Sequence, residues 1–494
     1  MHWSRVAHSR ATEGRPTKES ETMGTQLKAN CLSFTELLAQ AVALVSPTMT
    51  AALIIPVMFG NTGDWSWCSY ALGTLMLLFV ALNLNQFARR SSGSGSMYAY
   101  ICRGLGINAG AVGGWSLLWA YMGITIAGVT GFTIFAGKLL DMAGISTPPL
   151  VLSAICIAVA WYCAWKNVQL SAIMMLACEG VSMLLILALC FIVLGQHHFA
   201  LDAAQFDPST FPAGNLGLGV VVAIFSLVGF ECATAFGDEA KDPLKTIPRA
   251  VVISLLISGA FFVFVTYTMV LGVRGYSTSL DKIDAPLNVM ATLAHVGALQ
   301  VPLLLGATIS FFALCLSCIN AGGRVLYIMG RHGIVPPVTA SSHSKNETPH
   351  VAVSLLSAVA FTISICGTVA HVSTLDLFNY AGTCAAFGFI VPYALVTVAA
   401  PVYLGAIGQR KVRDLVICVA SLLLLAIPAI GSVYPVPAPP VNAFPYWFLG
   451  YLGVGLAWIL VLHRRRPTVA ESIRADLQLS HERFAAEAEG LAPR

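Results

Sequence analysis

The sequence predicts an all-α integral membrane protein, and three observations support that prediction. Hydrophobic residues make up 57% of the 494 residues and charged residues only 10%, against roughly 25% charged residues in a typical soluble domain. Apolar runs close to the ~20 residues that cross a bilayer as a helix follow one another from residue 34 to residue 463. Because lipid offers no partners to backbone amides, runs longer than the ~10 residues of a barrel strand are predicted to be helices.

Twelve apolar segments, each suited to one crossing, are predicted in a single transmembrane domain over residues 34–463. Polar tails flank it at residues 1–33 and 464–494; the first lacks the apolar core of a signal peptide, so we expect it to be cytoplasmic. In chain order the predicted segments are 34–59, 66–88, 109–136, 149–167, 170–195, 213–237, 248–273, 298–323, 350–371, 376–404, 412–432 and 445–463.

The distribution of Lys and Arg predicts the orientation of these segments. If both termini are cytoplasmic, only Lys138, Arg274 and Lys282 of the 27 Lys and Arg residues fall in outward loops. Lys and Arg prefer cytoplasmic loops, and adding or removing one helix midway would largely abolish the asymmetry. We therefore expect twelve crossings of the inner membrane with both tails in the cytoplasm. The net charge of +4 does not imply a nucleic-acid partner.

Two of the predicted segments contain residues that interrupt a helix. Pro47 lies in the middle of the first, within the run SPTMTA, and removes one amide donor. Gly229 lies in the sixth, two residues before Glu231. Segments one and six are five helices apart, as in transporters that place their substrate at broken helices of a five-plus-five inverted repeat. The alternative is a simple Pro kink and a Gly packing contact.

Glu179 and Glu231 are the ionisable side chains that lie away from the ends of the predicted segments. An unpaired carboxylate at mid-bilayer costs several kcal/mol, so each is expected to be protonated, to face water or to meet a cation. A transported proton, a sodium ion or a substrate ammonium would meet that need. Two alternatives stay open: Glu231 could bond amides freed beside the break, and Glu179 could be a neutral acid hydrogen-bonded between helices.

The sequence lacks the residues that several other kinds of function require. The sequence has no G-x-x-x-x-G-K-[ST] motif for an ATP motor and no cluster of titratable residues for a membrane enzyme. The pair His197-His198 has no further ligand at metal-binding spacing, so we predict no metal and no cofactor. Ion gradients are then the expected source of energy.

Three stretches resemble the amino acid–polyamine–organocation transporter superfamily. They are FSLVGFECATAFGDEAKDPLKTIPRA around the sixth segment, SGSGSMYAYICRGLG after the second, and GGRVLYIMGRHGIVP after the eighth. The first segment departs from the family, because members commonly have a run of Gly and Ser where this chain has SPTMTA; that variant looks closer to the polyamine importers. Some members carry a Lys in the fifth segment that replaces a sodium ion, and here Glu179 occupies roughly that region.

The resemblance implies a leucine-transporter-type fold, in which helices one to five and six to ten form the inverted repeats and the last two helices are peripheral. It implies a substrate between the two breaks, with amides at Thr48 to Ala51 for a carboxylate and carbonyls at Phe225 to Val228 for an ammonium. Phe225 would be an aromatic gate. The expected substrate-binding residues are Ser46, Pro47, Thr48, Met49, Thr50, Ala51, Trp119, Met122, Phe225, Ser226, Leu227, Val228 and Gly229.

The residues expected to couple transport to an ion are Glu179, Glu231, Ser310 and Ser317. The function expected from these features is a permease that moves an amino acid by alternating access, coupled to a proton or sodium gradient. A polyamine or other organic-cation importer is the alternative within transport, because two intramembrane acids have no basic counterpart. A nutrient sensor that keeps the transporter fold is the alternative from another class.

Overall fold

The protein is helical throughout the residues that the computed structural model describes, which are 27–91, 95–283, 285–434, 436–465 and 473. The all-α prediction is confirmed, since those residues contain no β-structure beyond an isolated parallel bridge between Leu32 and Ala240. The predicted cytoplasmic tails lie largely outside the described residues.

The helices of eight residues or more follow the order of the predicted apolar segments. They are α1 (Phe34–Val45), α2 (Ile55–Thr62), α3 (Ser66–Ala88), α4 (Ser96–Leu105), α5 (Ile107–Met142), α6 (Pro149–Lys166), α7 (Val168–Gln196), α8 (Leu216–Leu227), α9 (Pro243–Gly272), α10 (Pro286–Leu293), α11 (Gln300–Arg331), α12 (His350–Val369), α13 (Thr374–Ala406), α14 (Val412–Gly431) and α15 (Phe444–Arg465). The apolar pattern did not predict α4 and α10, which lie between the long helices.

Ten helical segments of the described chain are long and apolar enough to cross a membrane. One of them, Phe34–Ala88, has 55 residues and contains α1, α2 and α3. The sixth predicted segment, 213–237, is not among the ten, because its helix α8 ends after 12 residues. The count of twelve crossings therefore stays a prediction.

Helices α5 and α11 form the centre of the bundle, and the last two helices lie at its edge. In the most apolar stretch of α5 and of α11, 78% of the residues are buried, compared with 28% in α14 and 17% around α15. Small residues allow the central helices to come close. A Cβ added to Gly128 of α5 would lie 3.0 Å from the backbone nitrogen of Cys315, and one added to Gly388 of α13 would lie 2.7 Å from that of Ala120.

Both predicted breaks are present, and they touch each other. Helix α1 ends at Val45, and Ser46 has a left-handed backbone with φ of 49°. Helix α8 ends at Leu227, and Gly229 has φ of 98°. A Cβ added to Gly229 would lie 1.9 Å from Cδ2 of Leu44, so only glycine lets the sixth segment pack against the last turn of α1.

A buried ion pair fastens the chain after the second break to α11. Arg324 is 1% exposed and donates two hydrogen bonds to the carboxylate of Glu239, one of them 2.7 Å long from Nη2 to Oε1. Its guanidinium also lies 4.3 Å from the ring centre of Phe236. The backbone amides of Cys31 and Leu32 each donate to the carbonyl of Glu239 at 2.9 Å. The segment that precedes α1 is thereby held by the same residue.

Replacing Glu239 by Gln is expected to lower the stability of the folded protein strongly. The substitution keeps the shape of the side chain but leaves the Arg324 charge buried without a counter-charge, which costs about 3–5 kcal/mol. The matched control is Asp64→Asn, because Asp64 pairs at 3.1 Å with the partly exposed Arg274, and such pairs contribute about 1 kcal/mol or less. Thermal unfolding in detergent measures both variants. Equal unfolding temperatures for the two variants would contradict a stabilising role for the buried Glu239–Arg324 ion pair.

Candidate functional site

The carboxylate of Glu179 lies at the first break and is hydrogen-bonded to two elements besides its own helix, α7. Its Oε1 accepts from the backbone amide and from the hydroxyl of Thr48, each at 3.2 Å. Its Oε2 accepts a short hydrogen bond from Ser310 of α11. Glu179 is 2% exposed and Thr48 and Ser310 are fully buried, so these bonds form away from water.

This contact forms because the break at Pro47 leaves the backbone amide of Thr48 without a helical acceptor. In an unbroken helix the Thr48 amide would donate to the carbonyl four residues earlier, but Ser46 turns left-handed and Pro47 starts a new helical turn. The positive end of that new turn favours an anion. We expected a substrate carboxylate at the amides of Thr48 to Ala51; in this structure the Glu179 carboxylate lies on the first of them.

Hydroxyl groups surround Glu179 and complete a cluster of oxygen atoms. Ser46 Oγ lies 3.2 Å from Ser310 Oγ, and Thr48 Oγ1 lies 2.7 Å from Ser182 Oγ. Carboxylate and hydroxyl oxygens suit a proton or a hard cation rather than a transition metal. No group of three or more His, Cys, Asp or Glu that could hold a metal ion is found among the described residues.

Glu231 forms a second, separate cluster at the other break. Its Oε2 accepts from the backbone amide of Gly229 at 3.1 Å and from the Tyr393 hydroxyl of α13 at 2.7 Å. All three residues lie in the interior, and Glu231 is 0% exposed. The other carboxylate oxygen, Oε1, is buried without a hydrogen-bond partner in the described chain. Glu231 therefore ties the second break to α13.

The last turn of α8 leaves carbonyl oxygens free beside this cluster. The amide of Val228 donates to Ile224, the amide of Gly229 donates to the Glu231 side chain, and the amide of Cys232 donates to Gly229. Among the described residues, no backbone amide donates to the carbonyls of Phe225 to Val228. These are the carbonyls that we expected to meet a substrate ammonium.

Phe225 points from α8 toward α13. A Cβ added to Gly382 would lie 2.6 Å from the tip of the Phe225 ring, so the ring needs a glycine beneath it. Ser226 instead bonds α3, with its hydroxyl 3.3 Å from that of Tyr70, and Leu227 and Val228 are buried in the core.

The two residues expected from the third segment, Trp119 and Met122, differ in their contacts. The Trp119 indole donates to the carbonyl of Cys384 at 2.8 Å and packs against Phe448 and Tyr451 of α15. Its contacts are thus with the edge of the bundle rather than with either break. Met122 is half-buried and packs against the apolar core.

The four residues expected to couple an ion fall into different places. Only Ser310 joins Glu179. Ser317 lies two turns farther along α11, where its hydroxyl donates to the carbonyl of Gln40 at 2.8 Å. It also lies 3.8 Å from the sulfur of Cys232, the residue next to Glu231.

Three residues at these clusters were missed by sequence reasoning. Ser182 had a signal, because it follows Glu179 by three residues and therefore shares its helix face. Tyr393 had none, because its partner Glu231 is 162 residues away. Gln40 had a signal as well, because its polar side chain lies in an apolar run. Both polar atoms of that side chain are buried without a hydrogen-bond partner in the described chain.

Replacing Tyr393 by Phe is expected to destabilise the protein by about 1–3 kcal/mol, because it deprives a buried carboxylate of a donor. The control is Thr397→Val, one turn farther along α13. The Thr397 hydroxyl is buried and has no partner in the described part of the chain, so its removal is expected to be nearly neutral. Thermal unfolding in detergent compares the two. A shift for Thr397→Val as large as that for Tyr393→Phe would argue against the Glu231 contact.

Comparison with known proteins places this architecture among transporters. The sequence matches the amino acid permease family over residues 37–466. It is 26% identical over 340 residues to the low-affinity putrescine importer PlaP of Escherichia coli strain K12, covering 67% of this chain and 73% of that protein.

Two further relatives are named as transporters of other substrates. The branched-chain amino acid permease BcaP of Lactococcus lactis is 28% identical over 345 residues, covering 65% of this chain and 72% of the permease. The methylthioribose transporter of Bacillus subtilis is 24% identical over 402 residues, covering 76% of this chain and 83% of that protein. These relatives are transporters rather than enzymes. The family match and the ten apolar helices together identify a multi-pass inner-membrane protein that belongs to the amino acid permease family.

Proposed function

We propose that the protein is a secondary active transporter that moves an amino acid across the inner membrane by alternating access. The observation that carries the proposal is the buried Glu179 carboxylate of α7, which accepts from the amide and hydroxyl of Thr48 in the broken first segment and from the hydroxyl of Ser310 in α11. Such a cluster has a use in a transporter, because an ion that enters it changes the free energy of one helix arrangement relative to another.

We infer twelve crossings with both ends in the cytoplasm. At ~1.5 Å per residue, 55 helical residues would extend ~80 Å, more than twice the ~30 Å hydrocarbon core. The segment Phe34–Ala88 is therefore counted as two crossings, divided at Gly63–Trp65. Helix α8, continued by the turn Cys232–Ala235, supplies the sixth crossing. The breaks at Ser46 and Gly229 are then in matching positions of two inverted repeats.

Glu179 is the proposed coupling group, and a proton or a sodium ion is its ligand. No Lys or Arg side chain forms an ion pair with it among the described residues. A charged carboxylate in that interior is costly, so binding of a proton or a cation is favoured while the site is closed. Binding of the proton or cation to Glu179 keeps Thr48, Glu179 and Ser310 together. Its release favours separation of the first segment from α7 and α11.

The substrate is proposed to lie between the two breaks. The free carbonyls of Phe225 to Val228 would accept hydrogen bonds from an ammonium group, with the Phe225 ring as the gate. The segment Ser46 to Ala51 forms the opposite wall. Rocking of one group of helices about this fixed site would expose it to either side in turn.

A polyamine is the second candidate substrate, and one observation favours it. The Thr48 amide, which would donate to a substrate carboxylate, already donates to Glu179, and a diamine has no carboxylate to place there. The likeness to a protein named as a putrescine importer agrees with this alternative. Competition between putrescine and leucine for uptake separates the two candidates: stronger inhibition by leucine supports the amino acid, and stronger inhibition by putrescine supports the diamine.

Replacing Glu179 by Gln is expected to abolish concentrative uptake while leaving exchange intact. Gln keeps the shape of the side chain and one acceptor oxygen, but its amide group cannot bind and release a proton or balance a cation. The measurement uses liposomes that contain the purified protein and an imposed pH or sodium gradient. Uptake of labelled leucine and putrescine is followed, together with counterflow in the absence of a gradient.

The matched control is Glu231→Gln, the other buried acid. Because Glu231 holds the break in the sixth segment to Tyr393, its replacement is expected to impair uptake and counterflow together. Full accumulation by Glu179→Gln would remove Glu179 from the ion path. Substrate binding by the wild type without flux under any gradient would instead support the sensor.

A further inference from the structure

A cavity of about 430 Å³ lies between α3 and α9 at the ends of these helices that are rich in Lys and Arg. Three of the residues that line it are basic. Arg89 follows the last residue of α3, and Lys245 and Arg249 lie on the first turns of α9. Since Lys245 and Arg249 are four residues apart, they share one face of the helix and point toward the same side.

No described residue neutralises these three positive charges. All three side chains are exposed, and none of them forms an ion pair or a side-chain hydrogen bond with another described residue. Asp242 lies close in sequence, at the start of α9, but it makes no ion pair with Lys245. No acidic residue lines the cavity. The cavity therefore favours an anion.

The rest of the cavity wall is apolar, and it continues into the surface that faces lipid. Leu244, Pro248, Val252 and Ile253 complete the lining. Ile253, Leu256 and Ile257 follow along the same helix and are 36%, 45% and 42% exposed. A soluble anion would make no use of this apolar surface, whereas a molecule with a charged head and hydrocarbon chains would use both parts.

The two helices are held together beside the cavity, so its shape belongs to the fold. The side-chain amide of Asn85 in α3 donates to the carbonyl of Pro248 in α9 at 3.2 Å. Farther along the same pair of helices, Tyr70 and Phe262 pack with their ring centres 5.2 Å apart. Helix α9 begins at Pro243, four residues after Glu239.

We propose that this cavity binds an anionic phospholipid of the cytoplasmic leaflet. Its phosphate lies among Arg89, Lys245 and Arg249, and its acyl chains run along Ile253 and Leu256 of α9. Each basic residue near a membrane surface attracts anionic lipid, and a basic pocket between membrane helices suits a phospholipid head group. The site is separate from both breaks and does not depend on the proposed substrate.

The test uses the purified full-length protein in detergent and phosphatidylglycerol as the probe. Native mass spectrometry counts retained lipid, and thermal unfolding measures the stabilisation that binding produces. The variant Arg89→Gln/Lys245→Gln/Arg249→Gln is expected to lose affinity for phosphatidylglycerol by on the order of tenfold to a hundredfold, as expected for the loss of three surface charges.

The matched control removes three exposed basic residues elsewhere on the same side, with Lys345→Gln/Lys411→Gln/Arg413→Gln. It is expected to bind phosphatidylglycerol like the wild type. A charge-retaining variant, Arg89→Lys/Lys245→Arg/Arg249→Lys, is also expected to bind, which separates loss of charge from loss of folding.

Three results would overturn the proposal. Equal loss in the control variant would mean a general effect of surface charge. Equal retention of phosphatidylcholine, which carries no net charge, would mean that only the apolar surface binds. Displacement of phosphatidylglycerol by inorganic phosphate at similar concentration would mean that the cavity binds a free anion and not a lipid.

Discussion

The structure depends on one constraint, which is that a backbone amide buried inside a membrane protein needs a hydrogen-bond acceptor. Pro47 breaks the first segment and leaves the Thr48 amide without its helical partner. The Glu179 carboxylate accepts from that amide, and Ser310 donates to the same carboxylate. One broken turn thus determines where an otherwise unfavourable buried acid lies, and the acid in turn holds three parts of the bundle together.

The second break meets the same constraint in a different way. Gly229 turns the chain, and its freed amide donates to Glu231, only two residues away. Each break is therefore stabilised by a carboxylate, but Glu231 belongs to the broken segment itself, whereas Glu179 comes from another helix. Changing the charge of Glu179 alters contacts between helices, while changing Glu231 alters the local turn and its bond to Tyr393. This difference is why we propose Glu179, and not Glu231, as the coupling group.

The sequence predicted the helices well because the period and length of apolar runs are local properties. Most long helices lie within a few residues of their predicted segments, and both breaks were predicted from Pro47 and Gly229. The helix Ser96–Leu105 was missed because it is short and lies in a segment rich in Gly and Ser. The positions of Trp119 and Ser317 also differed from expectation, because the type of a residue does not show which neighbour its helix face meets.

The sequence by itself determined the all-α class, the two broken segments and the pair of intramembrane acids, since composition and local chemistry decide these features. Only the tertiary structure decided which groups those acids meet. Glu179 and Thr48 are 131 residues apart, and Glu231 and Tyr393 are 162 apart. Helix packing brings such groups within hydrogen-bond distance, and it also places Arg89 beside Lys245 and Arg249. No local pattern encodes either contact, because each depends on the rotation of two helices relative to each other.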